Sequence, residues 1–138
     1  MAVELTNVLG EDYSLSNSVW SLVLNLAQRY GWKPLGTLRP AELDESTTWG
    51  GDYDTSDGQT VTSADAAALS RALRAAIADP HLEIGVRKVV AALAEVVRAQ
   101  LGDDTAKLYA SSVPTSDDLG PILGDLRDFF DQGEFVIE

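Results

Sequence analysis

Tyr13-Ser-Leu-Ser-Asn-Ser-Val-Trp-Ser-Leu-Val-Leu-Asn-Leu26 is the stretch in which the hydrophobic pattern of the chain changes its period. Its first residues alternate between apolar and polar, as in a half-buried strand, and its later apolar residues recur at helical spacing. The helical period begins at Asn17 or Ser18, with serine and asparagine caps in front of it, and Gly31 marks its end. A strand that leads directly into an amphipathic helix predicts an α+β fold.

The two ends of the chain are predicted to form one small sheet. Val3 and Leu5 alternate with polar residues ahead of a stretch that contains Gly10, so residues 3–15 are typical of a β-hairpin. Phe135-Val-Ile137 is aromatic and β-branched, which favours a strand. We expect a small, mainly antiparallel sheet made of the N-terminal hairpin and this C-terminal strand.

Three further helices are indicated by apolar stripes and by their end signals. The helix at 62–78 begins with Thr62-Ser-Ala-Asp65, which fits a capping box. Stripes at 82–101 and 116–132 each end at a glycine, as helices often do. The chain is therefore expected to pack about four helices against the sheet, with the helices at 62–78 and 82–101 forming an antiparallel pair.

The whole chain, residues 1–138, is predicted to be a single globular domain, because its length and its hydrophobic content are those of one ordinary domain. Between the first two helices, a long loop is expected at about 33–61, where no apolar periodicity is visible. Loops of this length are usually functional or misassigned. The alternative is a short strand hidden near Tyr53.

The charge of the chain limits its partners and its location. The net charge is −12, with 22 acidic and 10 basic residues, so the surface repels phosphate backbones and anionic membranes. Cysteine is absent, which excludes disulfides and thiolate metal sites and is compatible with a reducing compartment. The sequence begins without a secretory signal pattern. We expect a cytoplasmic protein that binds neither nucleic acid nor membrane and uses no cofactor.

The densest polar stretch lies at 49–59 and holds the candidate binding residues. Aromatic side chains there could anchor a partner, because they bring a large contact area at low entropic cost. The favoured alternative is that they pin the loop onto the core. The candidates for binding a partner or ligand are Trp49, Tyr53, Asp54, Asp57 and Gln59.

Asp52, Asp54 and Asp57 are weak candidates for a divalent-metal site, since hard cations prefer several oxygen ligands around a glycine turn. The register of a calcium loop is not matched. If Gly58 occupies the turn position, the twelfth residue is Ala64 and not the bidentate glutamate that such loops require. A tight turn at Asp57-Gly58 is the favoured interpretation.

Catalytic signals are weak. His81 is the only histidine, and no residue near it in sequence forms a catalytic pair. The doublets Asp103-Asp104 and Asp117-Asp118 each stand beside a predicted helix start, where carboxylates interact favourably with the helix dipole. The sequence holds neither a phosphate-binding glycine loop nor a nucleophile elbow. The chain is therefore not predicted to be an enzyme.

Several stretches together form a recognisable pattern. Tyr30-Gly-Trp-Lys-Pro-Leu-Gly-Thr37 has the form YGWxPxGT, and residues 49–66 have the form W-x-G-x-Y-x3-DGQ-x-VT-x2-DA. With the Gly-x-Phe-x-Ile segment at 133–137, they resemble small uncharacterised bacterial proteins. The resemblance implies a bacterial single domain. It implies no catalytic or binding residue, because no activity is known for that group.

The leading hypothesis is a non-enzymatic protein-interaction module of the immunity, antitoxin or regulatory type. It would use the stretch at 49–59 and the neighbouring acidic surface to bind a protein partner. The alternative is a small-ligand or divalent-metal-binding domain that uses the same loop. An enzyme would require a pocket that unites His81 with a carboxylate. The oligomeric state is left open, because a long apolar stripe suits a dimer face as well as a core.

Overall fold

The fold of the chain is α+β in a computed structural model, which describes residues 2–112 and 116–138. A strand hairpin comes first, a helix and a long irregular segment follow, and four further helices lie between the third and the last strand. In chain order the elements are β1 (Ala2–Asn7), β2 (Asp12–Ser16), α1 (Asn17–Arg29), β3 (Gln59–Val61), α2 (Ser63–Ala78), α3 (Leu82–Leu101), α4 (Asp103–Ser112), α5 (Ser116–Phe130) and β4 (Phe135–Ile137).

The four strands form one sheet in the order β2-β1-β4-β3, and each neighbouring pair is antiparallel. Leu5 of β1 and Gln59 of β3 both pair with Ile137, so β4 lies between the first and the third strand. The predicted hairpin, and the return of the C-terminal strand to pair with it, are confirmed. The sheet joins segments from the two ends and the middle of the chain.

The strand β3 lies at the end of the segment that was expected to be a loop. Leu38 also joins the sheet edge through a bridge to Thr60, whose carbonyl accepts a 2.8 Å hydrogen bond from the Leu38 amide. Three residues are too few for a clear alternating pattern, and one of the two buried residues is the polar Gln59. The irregular part of the segment therefore ends at residue 58.

The expected number of helices is wrong, since the described residues contain five helices and not four. The additional helix, α4, has only Ala106 among the fully buried apolar residues of the core, so its apolar stripe is weak. Gly102 does end α3, with φ of 91°, and α4 begins immediately after it. Asp103 and Asp104 lie in its first turn, as expected of carboxylates at a helix start.

The core lies between the sheet and α1, α2 and α5. The expected pairing of α2 with α3 is a minor contact, because α2 packs mainly on α5 and α3 mainly on α4. Phe130 of α5 stacks on Phe135 of β4 at a centroid distance of 5.1 Å. Over residues 2–112 and 116–138, no helix combines the length and the apolar composition needed to cross a lipid bilayer.

Candidate functional site

A buried carboxylate at the start of α2 organises the long segment that carries most of the candidate residues. Asp65 has no exposed surface, and its Oδ1 accepts a 2.8 Å hydrogen bond from Trp32 Nε1. Its Oδ2 accepts a hydrogen bond from the hydroxyl of Tyr53. The Asp65 amide donates to Thr62 Oγ1, the predicted helix cap. Of the two reciprocal bonds of a capping box, the bond from the Asp65 amide to Thr62 is thus present. The Asp65 carboxylate accepts instead from two aromatic residues.

Tyr53 ties three parts of the chain together. Its hydroxyl accepts a 2.8 Å hydrogen bond from the Gly36 amide, and its carbonyl accepts one of 2.7 Å from Trp20 Nε1. Its ring meets Trp32 edge to face at 5.1 Å. Burial, followed by the hydrogen bond to Asp65, raises the pKa of Tyr53 above its ordinary value. The phenol therefore remains a neutral donor at physiological pH.

Trp49 pins the middle of the same segment. Its indole is half-buried, and Nε1 donates to the carbonyl of Thr37 at 3.1 Å. The buried Thr37 hydroxyl donates in turn to the carbonyl of Asp52 at 2.7 Å. These contacts support the interpretation that the two aromatic residues fasten the loop to the core. A role for Trp49 and Tyr53 as anchors for a partner stays a prediction.

The backbone around Gly36 passes close to the backbone around Gly51 within the long segment. Gly36 and Gly51 have φ of 93° and 75°, a region that residues with a Cβ rarely adopt. A Cβ on Gly51 would lie 3.2 Å from the Cα of Gly36. The amide of Thr37 donates to the Gly51 carbonyl at 3.2 Å. The close approach of these two stretches of backbone therefore requires glycine.

Gln59 is fully buried and holds the turn that precedes β3. Its Nε2 donates to the carbonyl of Thr55 at 2.6 Å and to that of Asp52 at 3.2 Å. Its Oε1 accepts from the amide of Asp57 at 2.9 Å. Gly58 has the positive φ, 84°, that was expected of it, and its amide donates to the carbonyl of Ile137 at 2.8 Å. The Gln59 side chain supports the loop from inside and offers no exposed surface to a partner.

The acidic side chains of the segment point the other way, to solvent. None of them forms an ion pair with a basic side chain among the residues that the structure describes. Arg39, which precedes them, donates instead to the main-chain carbonyls of Leu43 and Asp44. The six exposed carboxylates are those of Glu42, Asp44, Glu45, Asp52, Asp54 and Asp57.

A divalent-metal site at this loop stays a prediction. In the described part of the chain, no three His, Asp or Glu side chains are grouped closely enough to hold a metal ion. Asp52, Asp54 and Asp57 are exposed and separate, and Asp65 is occupied by Trp32 and Tyr53. The geometry gives this reading no specific support.

Apart from the long segment, a depression of about 480 Å³ brings His81 together with a carboxylate, between the end of α1 and the start of α3. Asp79 accepts hydrogen bonds from the Tyr30 hydroxyl at 2.6 Å and from the His81 amide at 2.8 Å. These bonds lower the pKa of Asp79, while burial and then Asp79 raise the pKa of Tyr30 to about 12. The residues lining it are Arg29, Tyr30, Asp79, His81, Ile84 and Gly85, and none of them is a serine or threonine nucleophile.

A groove of about 820 Å³ lies between the acidic segment and the sheet. The sequence did not predict this groove. The alternation in β4 could have placed Val136 on the opposite face from the buried Phe135 and Ile137. No local signal brings Leu38 beside it. Residues that line the groove include Leu38, Pro40, Glu42, Asp57, Val136 and Glu138.

Comparison with known proteins gave no relative from which to argue. No protein-family model matches the sequence, and neither a curated protein nor a solved structure matches it. The resemblance to small bacterial proteins therefore stays a prediction.

Proposed function

We propose that this chain is a non-enzymatic protein-interaction module that binds a basic protein partner through residues 41–58, here named the acidic loop. The observation that carries the proposal is the set of six exposed carboxylates on a segment whose main chain is fastened from within. An immunity, antitoxin or regulatory role would use such a surface. A bacterial setting is part of the proposal because of the resemblance to small bacterial proteins. A cytoplasmic setting is part of it because a chain without cysteine suits a reducing compartment.

The charge of the acidic loop attracts a basic partner over distance. The acidic loop contains six carboxylates and no basic side chain, so a positive surface on a partner is drawn towards it. The same field repels nucleic acid and anionic membranes. A basic protein is therefore the class of partner that this surface fits.

The acidic loop is also held in a fixed conformation before any partner binds. Trp20 and Gln59 both hold main-chain carbonyls of the loop, and Tyr53 joins it to α2. A loop that is already ordered loses little conformational entropy when a partner binds. The internal aromatic residues therefore serve binding by presenting the carboxylates in a fixed arrangement.

The test is affinity capture from a lysate of the cells that naturally make this chain. The intact chain is compared with Asp52→Asn/Asp54→Asn/Asp57→Asn, which keeps side-chain size and removes three charges. We expect the intact chain to retain a basic protein, with capture declining as salt rises, and the variant to lose it.

The matched control is Asp103→Asn/Asp104→Asn/Asp128→Asn, which removes three exposed charges from the helices. This control should retain the partner, because the loop is unchanged. A partner that both triple variants retain equally, or one that is itself acidic, would overturn the proposal. Trp49→Ala is unsuitable as a first variant, because it removes a support of the loop as well as a surface.

A further inference from the structure

The solvent face of the sheet carries a row of side chains that continues across three strands. Thr6 pairs with Val136, Val136 with Thr60, and Thr60 with Leu38. The neighbouring strand residues Leu5, Phe135 and Val61 are buried, so alternation places the row on the outer face. We name these four residues, Thr6, Val136, Thr60 and Leu38, the sheet row.

Three residues of the sheet row, Leu38, Thr60 and Val136, form the shared wall of two depressions, and Thr6 lines the smaller one only. The larger one, the loop–sheet groove of about 820 Å³, lies on the side of the acidic loop. The smaller one, of about 320 Å³, extends towards Val8, which is 59% exposed in the hairpin turn. Leu38 is 53% exposed between them. Apolar side chains such as Leu38 and Val136 beside a polar or charged rim are the usual arrangement of a protein-binding surface.

The loop–sheet groove combines apolar side chains with several carboxylates. Leu38, Val136 and the buried Pro40 provide apolar surface. The exposed side chains of Glu42, Asp57 and Glu138 provide the negative charge. An aliphatic stem that ends in a cation would meet both kinds of surface at once.

One cation, Arg39, also lines the groove, and among the described residues it forms no ion pair with the groove's carboxylates. Its guanidinium donates to the carbonyls of Leu43 and Asp44, within the acidic loop. None of the described ion pairs involves Arg39 or a carboxylate of the groove. Because Glu42, Asp57 and Glu138 outnumber this one cation, the groove keeps a net negative charge.

We propose that the loop–sheet groove receives an arginine side chain of the basic partner. The aliphatic stem lies along Leu38 and Val136, and the guanidinium is met by the carboxylates of Asp57 and Glu138. Arginine suits this site because its planar fork binds carboxylates with two hydrogen bonds and is weakly hydrated. This inference rests on the proposed function and deepens it, because it names the anchor and the surface.

The probe for the test is a short peptide in which arginines alternate with glycines, titrated into the intact chain and followed by backbone-amide NMR shifts. We expect saturable shifts at Leu38, Thr60 and Val136. The same peptide with citrulline, a neutral analogue of similar shape, should bind about tenfold more weakly, because the charge-assisted hydrogen bonds are lost.

Two variants with equal changes of charge separate the groove from the general field of the chain. Asp57→Asn/Glu138→Gln should weaken binding of the arginine peptide about fivefold or more, whereas Asp103→Asn/Asp104→Asn on α4 should change it less than about twofold. Leu38→Ser tests the apolar wall separately. It should also weaken binding, and Leu38 is exposed enough for the fold to tolerate the change.

Other outcomes overturn the inference in distinguishable ways. Shifts confined to Asp52 and Asp54, with groove variants unaffected, would overturn the groove and leave the proposed function standing. Equal weakening by the groove and α4 variants would show attraction by net charge alone and overturn the groove, while the proposed function is decided by the capture experiment. The absence of saturable binding would overturn the groove, and the capture experiment would then decide the proposed function independently.

Discussion

At the scale of single residues, one buried carboxylate explains why the acidic loop has a defined shape. Asp65 accepts hydrogen bonds from Trp32 and Tyr53 and has no exposed surface. A buried carboxylate is costly unless hydrogen bonds compensate it. The loop is thus connected to α2 through groups that cannot separate without leaving this charge unsatisfied.

Tyr53→Phe should lower the free energy of unfolding by about 1–3 kcal/mol, because the change removes one of the donors to the buried Asp65 carboxylate. The Gly36 amide would lose its acceptor as well. Urea denaturation of the intact chain and the variant measures the difference.

The control for this change is Tyr13→Phe. The Tyr13 hydroxyl lies 3.5 Å from Asp125 Oδ2 in an exposed position, so its loss should cost less than about 0.5 kcal/mol. Equal effects of the two substitutions would contradict the structural role given to Tyr53.

At the scale of elements, the irregular segment between α1 and β3 behaves as a structural element in its own right. Its limbs cross at Gly36 and Gly51, and its ends are held by the Leu38–Thr60 bridge and by Gln59. In helices and paired strands, backbone groups bond to one another in a regular ladder, whereas several carbonyls of this segment are bonded by side chains. Its stability therefore depends on particular residues and not on a periodic pattern.

Gly51→Ala should destabilise the chain by about 1–2 kcal/mol, because alanine at this positive φ is strained. The added Cβ also meets the backbone of Gly36 at 3.2 Å, and backbone cannot rotate away as a side chain can. Thermal or urea unfolding measures the loss of stability.

Gly124→Ala in α5 is the matched control, because its added Cβ would meet only the flexible Arg127 side chain, at 4.0 Å. This change should stabilise the chain by about 0.5–1 kcal/mol, the usual gain for alanine over glycine inside a helix. If both substitutions changed stability in the same direction, the strained crossing would not be the cause.

At the scale of the whole molecule, the four tyrosines have raised pKa values and so connect the stability of the fold to alkaline pH. Burial is the main cause in each case, and a neighbouring carboxylate adds to it for Tyr13, Tyr30 and Tyr53. The folded chain therefore holds these phenolic protons more tightly than the unfolded chain does.

We expect the free energy of unfolding to fall above about pH 10. The stabilisation from each phenol is complete below its unfolded pKa of 10.0 and is lost as the pH rises through the folded value, which is about 12 for Tyr30. Tyrosinate absorbance in the folded chain and in urea measures both midpoints. Tyr30→Phe should reduce the pH dependence, and identical midpoints in the two states would refute the linkage.

Much of the fold could be predicted from the sequence, because strands and helices leave periodic patterns among near neighbours. The hairpin, α1, α2, α3, α5 and the C-terminal strand were all indicated in this way. α4 was missed because it buries little apolar surface, and β3 was missed because it is short and buries Gln59.

The candidate site could be predicted only in part. The stretch at 49–59 stood out by composition, yet sequence could not tell which side chains face solvent. Asp52, Asp54 and Asp57 are exposed, whereas Gln59 is buried. That difference depends on where Thr55 and the other hydrogen-bonding groups lie after folding.

The sequence by itself determined the α+β class, the ends of α2 and α3 and the strongly acidic charge, since each follows from residues that are close along the chain. Only the tertiary structure decided the strand order, the partners of α2 and α3, and the meeting of Leu38 with Val136 in one groove. Such contacts join distant segments through the packing of surfaces that are complementary only after folding, and no local period records them.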